Sequence, residues 1–356
     1  MNGYVNTGRV LAGSATGRMG PLLSVVVPVF NEEEVVGRFH ARMSELFDEI
    51  GYPAELVFVD DGSTDGTMKA LQALREADPR IALLGLSRNF GKEIALSAGL
   101  DYASGDAVVV IDVDLQDPPE IIKEFIARWQ AGFDVVYGQR IERDGETAAK
   151  KLTAFLFYRV MRKVTSVDIP ADTGDFRLMS RRVVDALKRC REQHRFMKGL
   201  FAWVGFRQCA VPYHREARVA GTTKFNYWRL WNFALEGITS FTIAPLKVAT
   251  YVGFLTAAMA FVYLLVIVVK TLLYGEPVQG YPSLMAVVLL LGGLQLVTIG
   301  ILGEYVGRIF DETKGRPLYM LKETWPAEAV EGFRPDPFGH LASLATEPPV
   351  MTRVQR

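Results

Sequence analysis

The chain is poor in the residues that mark several function classes. Its 356 residues include only two cysteines, Cys190 and Cys209, and four scattered histidines. Neither type recurs at a zinc-binding spacing, and so few thiols suit a reducing compartment, with both cysteines read as packing residues. The 40 basic and 40 acidic side chains cancel to a formal net charge of zero, which leaves no electrostatic footprint for nucleic acid. Met1–Gly20 lacks the apolar core of a signal peptide and is expected to be a flexible tail. No G-x-G-x-x-G follows the first expected strand, which argues against a dinucleotide-binding Rossmann domain.

What is abundant is apolar side chain. Hydrophobic residues make up 49% of the chain, and the mean hydropathy is +0.14, high for an ordinary soluble protein. The excess sits in Val248–Val269 and Leu284–Leu302, two uncharged runs each long enough to cross a bilayer. The intervening Lys270–Ser283 carries only Lys270 and Glu276, whereas Arg229, Lys247, Arg308, Lys314 and Arg316 flank the outer ends. The positive-inside rule then places both large flanks in the cytoplasm and the short loop outside. Just before the first run, Phe225, Trp228, Trp231, Leu235, Ile238 and Phe241 recur at three- and four-residue intervals. That pattern predicts an amphipathic helix lying in the membrane interface. The expected organisation is a tail over 1–20, a folded domain over 21–224 and an interfacial helix over 225–245. Spans over 246–270 and 284–307 follow, separated by a loop over 271–283, and a cytoplasmic tail closes the chain over 308–356. Arg316–Leu321 is expected to dock back on the domain.

The first 200 residues alternate. Apolar, β-branched stretches predict strands at 22–29, 54–61, 81–87, 107–112 and 133–138, with helical stretches between them. In Glu32–Ile50, Val35, Val36, Phe39, Met43, Leu46, Phe47 and Ile50 follow the helical period. This alternation predicts an α/β fold with a mainly parallel sheet. Two of the strands end in paired acids, Asp60-Asp61 and Asp112-Val113-Asp114, at the edge where open α/β sheets place ligands. Carboxylates at i and i+2 suit a hard divalent cation that keeps open positions for phosphate. The competing explanation is capping: Asn31 as an N-cap, and Asp60, Asp61 or Asp175 as turn or helix caps.

Four segments in fixed order, P-V-F-N-E-E, V-D-D-G-S-T-D-G-T, L-S-R-N-F-G-K-E and D-V-D-L-Q-D-P-P, resemble the successive motifs of family 2 glycosyltransferases with a GT-A fold. More narrowly, they resemble the membrane-bound branch that moves a sugar from a nucleotide to a polyprenyl phosphate, including bactoprenol glucosyltransferases and dolichol-phosphate mannose synthases. The similarity runs from about Leu22 to Arg316. It implies an inverting transferase using a nucleotide sugar, with UDP and glucose favoured, an undecaprenyl-type phosphate acceptor, a bilayer and Mg2+ or Mn2+. By resemblance, Pro28, Phe30, Asn31 and Glu32 line the nucleotide and Asp61 meets the base, with Asp60 the alternative. Asp114 and Gln116 correspond to direct metal ligands, and Asp112 lies between ribose and metal. Asp117-Pro118-Pro119 is expected to start a helix. Arg88 and Lys92 are left open between phosphate contact and surface charge.

Asp172–Met179 matches the family's acceptor-loop motif, which points to Asp175 as an essential acid orienting acceptor or sugar. A lipid phosphomonoester has a second pKa of roughly 6 and arrives largely as a dianion, so it needs cations more than a strong base. Arg140, Lys150, Lys151 and Lys224 are the candidates, with Lys224 at the start of the interfacial helix. Homo-oligomer formation is left open. A processive polysaccharide synthase is the main alternative, but it would carry Q-x-x-R-W and further spans, and neither is found. A non-enzymatic flippase or anchor fits poorly, since Gln295 and Glu304 are the polar interruptions of the spans.

Overall fold

The computed structural model describes residues 20–141, 173–214, 244–274 and 280–328. Among the described residues one sheet of eight strands organises the fold, in the order β7-β5-β6-β4-β1-β2-β3-β8. Its centre is parallel: β1 (Leu23–Val29) lies between β2 (Ala54–Asp60) and β4 (Ala107–Val110), and β2 pairs with β3 (Ile81–Leu86). All four strands are buried along their whole length, which is why they read as continuous apolar runs rather than alternating ones.

Helices cover both faces. α1 (Glu33–Ile50), α2 (Thr67–Ala77) and α4 (Ile122–Gln130) pack with one hydrophobic cluster that includes Phe39, Phe58 and Phe125. On the other face, α3 (Lys92–Tyr102), α5 (Arg181–Arg189) and α6 (Met197–Trp203) enclose Leu96, Val184 and Phe201. The apolar period expected in α1 is the face it buries: Val35, Val36, Phe39, Met43, Leu46 and Phe47 are all inside, and Phe39 meets Phe58 edge-on at 6.0 Å. Truncating Phe39 to alanine would cost about 3–5 kcal/mol by the usual cavity penalty.

The remaining strands depart from the expected simple alternation. β5 is Val135–Arg140, shifted two residues past the expected 133–138. Thr173–Ser180, which the acceptor-loop resemblance places in a loop, is instead strand β6, antiparallel to both β4 and β5. β7 (Gln208–Tyr213) then runs parallel to β5. β8 (Leu321–Trp325) returns from beyond the apolar helices to pair antiparallel with β3. The expected docking of Arg316–Leu321 is therefore real: the Ser87 amide donates to the Met320 carbonyl at 2.8 Å and the Tyr319 hydroxyl to Asp101 Oδ2 at 2.9 Å, and the pairing continues through β8. β8 covers a sheet edge that would otherwise expose unpaired backbone groups.

Two long helices, α7 (Ala244–Tyr274, 31 residues) and α8 (Tyr281–Thr313, 33 residues), contain the apolar runs. Within them Leu246–Tyr263 and Leu290–Thr313 are long and apolar enough to cross a membrane, and neither window is buried against protein. The last turn of α8 touches the amino-terminal region: the Gln193 amide donates to Glu312 Oε1 at 2.7 Å, and His194 Nε2 lies 3.2 Å from Asp311 Oδ2. The carboxyl end of α8 and the sheet domain therefore sit together. Residues 225–243 of the expected interfacial helix, and Lys150, Lys151, Asp172 and Lys224, lie outside the described residues.

Candidate active site

The first acid pair is built into the backbone. Asp60 ends β2 and its carboxylate accepts from the Ser63 amide at 3.2 Å, closing the turn. Asp61 accepts from the amides of Phe90 and Gly91 at 2.7 and 2.9 Å, and so fastens the amino terminus of α3, where a carboxylate also suits the helix dipole. Both acids are at most 4% exposed, and burial raises the pKa of each above the ordinary aspartate value. The turn passes so close to the next loop that a Cβ on Gly62, whose φ is +69°, would lie 2.5 Å from the Arg88 carbonyl carbon. Only glycine fits there.

Asn31 does not cap α1. It adopts a left-handed conformation (φ 56°), receives the Thr64 amide on Oδ1 at 2.8 Å and donates its own amide to Ser63 Oγ at 2.9 Å. Glu32 precedes α1 and donates its amide to Thr67 Oγ1 at 2.9 Å. Phe30 is 39% exposed beside them, and Pro28 is buried within β1. These residues therefore share the carboxyl edge of β1 and β2 with Asp61. Arg88 instead lies over the Phe90 ring at 4.0 Å.

The second acid turn is open. After β4, burial alternates: Val113, Leu115 and Asp117 are inside, whereas Asp112, Asp114 and Gln116 are partly exposed. The turn is fixed by the Gln116 amide donating to Asp114 Oδ1 at 3.1 Å and by Leu115 held at φ 58°, a conformation that a leucine adopts only when its surroundings impose it. Among the described residues no three His, Cys, Asp or Glu side chains converge into a metal cage. Two carboxylates and an amide on one accessible edge fit a hard cation that takes its other oxygens from phosphate.

Strand β6 faces this edge. The β4–β6 register ends at Val110 opposite Arg177, and the same antiparallel register carried two residues further sets Asp112 opposite Asp175. Between them lies Lys92, the first residue of α3. Its Nζ is 2.7 and 2.9 Å from the two oxygens of Asp112 and 2.6 Å from Asp175 Oδ2. Burial opposes the ammonium, yet Asp112 and then Asp175 outweigh it and raise its pKa above the ordinary lysine value. For Asp175, burial favours the neutral acid, but Lys92 and Lys198 prevail and hold it ionised well below the usual range. Its Oδ1 is buried and has no hydrogen-bond partner among the described residues.

Around this bridge the charges are dense. Arg177 is 4% exposed, stacks 3.7 Å from the Phe201 ring and donates to the carbonyls of Gly174 and Asp175 at 2.8 and 3.2 Å. Burial lowers its pKa to about 10. Glu93 accepts from the Met197 amide at 3.1 Å, and burial followed by repulsion from Asp175 raises its pKa to about 7. Arg140, at the end of β5, donates to the Tyr213 hydroxyl at 3.3 Å and lies 3.6 Å from buried Asp117, to which Tyr213 also donates. A Cβ on Gly174 would come within 2.8 Å of the Arg140 guanidinium.

The structure thus gathers Asp112, Asp114, Gln116, Arg140 and Asp175 at one edge and leaves Lys224 outside the described residues. Capping does not explain Asp175, which lies inside a strand. No local pattern in the sequence marks Glu93, Arg177 and Lys198 together as members of this cluster. They are spread over three elements, and the single local signal was the Gly91-Lys92-Glu93 step at a helix start. The helix start expected at Asp117-Pro118-Pro119 is found, as a 3-10 turn at Pro119–Ile121 with proline at its first position, leading into α4; Asp117 is in addition a buried acid.

Residues 24–188 match the family model of glycosyl transferase family 2, and residues 244–309 match that of the GtrB C-terminal hairpin. The chain is 50% identical over 302 residues to an SfII prophage-derived bactoprenol glucosyl transferase of Shigella flexneri, covering 85% of this chain and 98% of that one. It is equally similar, 50% over 306 residues, to an uncharacterized glycosyltransferase of Synechocystis, covering 86% and 96%. A mannosyltransferase from Pyrobaculum calidifontis solved with GDP-Man and Mn2+ is a distant structural likeness, with a TM-score of 0.42 at 19% identity over 82% and 88% of the two chains. With near-full-length identity of this order, the chain is a glycosyltransferase and belongs to family 2, in the branch that carries the GtrB hairpin.

Proposed function

We propose that this enzyme transfers glucose from UDP-glucose to a polyprenyl phosphate of the undecaprenyl type, with inversion, at the cytoplasmic face of a membrane, for modification of cell-envelope glycans. The observation that carries this reading is the 50% identity to a bactoprenol glucosyl transferase across both the sheet domain and the apolar hairpin.

Pro28, Phe30, Asn31, Glu32 and Asp61 are assigned to the nucleotide. Asp114 and Gln116, with Asp112 beside them, would hold Mg2+ or Mn2+, whose charge when bound offsets that of the departing diphosphate. In the transfer, an oxygen of the lipid phosphate attacks the anomeric carbon from the face opposite UDP. The bond from that carbon to the UDP oxygen breaks, its electron pair leaves with UDP, and the new carbon–oxygen bond has inverted configuration. The acceptor dianion has no proton to surrender, so Asp175 is given an orienting role. Arg140, fixed by Asp117 and Tyr213, and Lys224 supply the positive charge that draws the lipid phosphate in. The contacts between the end of α8 and Gln193 and His194 support a topology in which the domain and both termini share the cytoplasmic side, with the loop between α7 and α8 outside.

The test is incubation of membranes carrying the full chain with labelled UDP-glucose and a short polyprenyl phosphate, followed by solvent extraction. Label in an extractable, acid-labile lipid is expected; label only in a long water-insoluble polymer, or none with any of a panel of nucleotide sugars, would overturn the reading. Lys224→Ala is expected to lower kcat/KM for the lipid acceptor while leaving UDP-glucose affinity within about threefold, as loss of one acceptor-side charge requires.

A further inference from the structure

Antiparallel pairing of β4 and β6 sets two carboxylates, Asp112 and Asp175, across from each other at a sheet edge. Like charges in that position repel. The fold supplies the missing positive charge from α3: Lys92 Nζ contacts three carboxylate oxygens within 2.9 Å, including both oxygens of Asp112. The ammonium is delivered there by backbone, since Asp61 pins the Phe90 and Gly91 amides immediately before it. The ammonium end is desolvated between the two acids, whereas the lysine side chain as a whole remains 44% exposed, so solvent reaches it.

Both Asp112 oxygens are thereby taken by a cation belonging to the chain itself. A divalent ion sharing Asp112 must displace that ammonium or be weakened by it. Two positive charges a few ångströms apart repel, and the more so where water is partly excluded. A diphosphate arriving at the same edge offers Lys92 a different anion.

We propose that Lys92 is a built-in counter-ion of the metal edge, which competes with the divalent cation for Asp112 until the diphosphate of the donor draws the ammonium away. It makes metal and nucleotide bind together rather than independently. Lys92 is a positioning residue in this scheme, acting through Asp112 and Asp175. By linkage, whatever factor the nucleotide adds to metal affinity, the metal adds to nucleotide affinity. The inference rests on the proposed assignment of the metal to Asp112, Asp114 and Gln116.

The test is Mn2+ titration of the full-length protein in detergent, with free Mn2+ read by electron paramagnetic resonance, in the presence and absence of UDP. In the wild type, UDP should tighten Mn2+ binding by about tenfold or more, within the usual range of coupling between sites. Lys92→Met should bind Mn2+ without UDP about tenfold more tightly than the wild type, and UDP should then add less than about threefold. Lys92→Arg, which keeps the charge, should stay close to the wild type and guards against a folding defect in the methionine variant. Mn2+ affinity in the wild type that ignores UDP overturns the proposal without any variant. Equal UDP-free affinity in the wild type and Lys92→Met overturns it too. If instead the wild type with UDP binds no Mn2+, or Asp114→Ala binds it unchanged, the metal assignment itself fails; coupling present and lost in Asp114→Ala, with Lys92→Met unaltered, removes the Lys92 proposal alone.

Discussion

Asp60-Asp61 and Asp112-Val113-Asp114 close parallel strands of one sheet and look alike in sequence, but the structure uses them differently. The first pair is at most 4% exposed and is spent on backbone amides of Ser63, Phe90 and Gly91. The second is partly exposed, and its Asp112 meets a side-chain cation, Lys92. An acid that accepts from fixed amides is part of the frame; an acid held by a lysine can exchange that partner for another cation. The two pairs are linked, because Asp61 anchors the helix start that presents Lys92 to Asp112.

The largest separation between them should come from alanine variants. Asp114→Ala is expected to cut turnover by at least about a hundredfold, the scale of losses seen when support of a metal is removed, with little change in Tm. Normal activity after EDTA treatment of the wild type would break that half of the comparison. Asp61→Ala should do the opposite in emphasis. It orphans two amides, costing about 1–3 kcal/mol each way such groups are left unpaired, and a thermal melt should show the loss. A variant as stable as the wild type would mean that Asp61 is free for the nucleotide alone.

A pH series sharpens the role of the buried charges behind the open pair. Burial and Asp175 raise the Glu93 pKa from 4.5 to about 7, so the folded state holds a proton that the unfolded chain releases in that window. With more protons bound in the native state, Glu93 makes stability fall as pH rises from 4.5 towards 7. Asp175, held below the usual range, works the other way, and its contribution is lost only as pH falls through acid values. Glu93→Gln should therefore flatten the melting temperature between pH 5 and 7; an unchanged slope would show that Glu93 is ionised throughout.

The smallest effect is expected at Arg88→Ala. Its guanidinium lies over Phe90, a contact worth about 0.5–1 kcal/mol at an exposed site. A melt should barely move. A tenfold loss of UDP affinity in the same variant would instead place Arg88 on the donor phosphates and give the first acid turn a chemical role of its own, by the 1.4 kcal/mol that tenfold represents.

The parallel centre was legible because each strand is buried on both faces and carries its own apolar run, and α1 because its buried face repeats with the helical period. β6 was not. Thr173–Ser180 interleaves Asp175 and Arg177 with Phe176 and Leu178, and polar residues in a strand read as a loop until their charges find partners on other elements. β8 was legible only as a docking segment, because pairing over more than 200 positions leaves no local trace. A soluble piece ending near Ala220 would lack it and leave β3 with an open edge, so tests of the domain alone need Leu321–Trp325 restored.

The sequence by itself determined the α/β class, the two apolar helices and the acids at strand ends, since each follows from a run or spacing along the chain. Tertiary structure alone decided that Asp112 and Asp175, far apart in sequence, share one ammonium, and that Asp61 serves the start of α3. Those outcomes depend on the antiparallel insertion of β6 beside β4 and on the Asp61 contacts that start α3 at Lys92. Both are fixed by packing across the sheet, which no local pattern encodes.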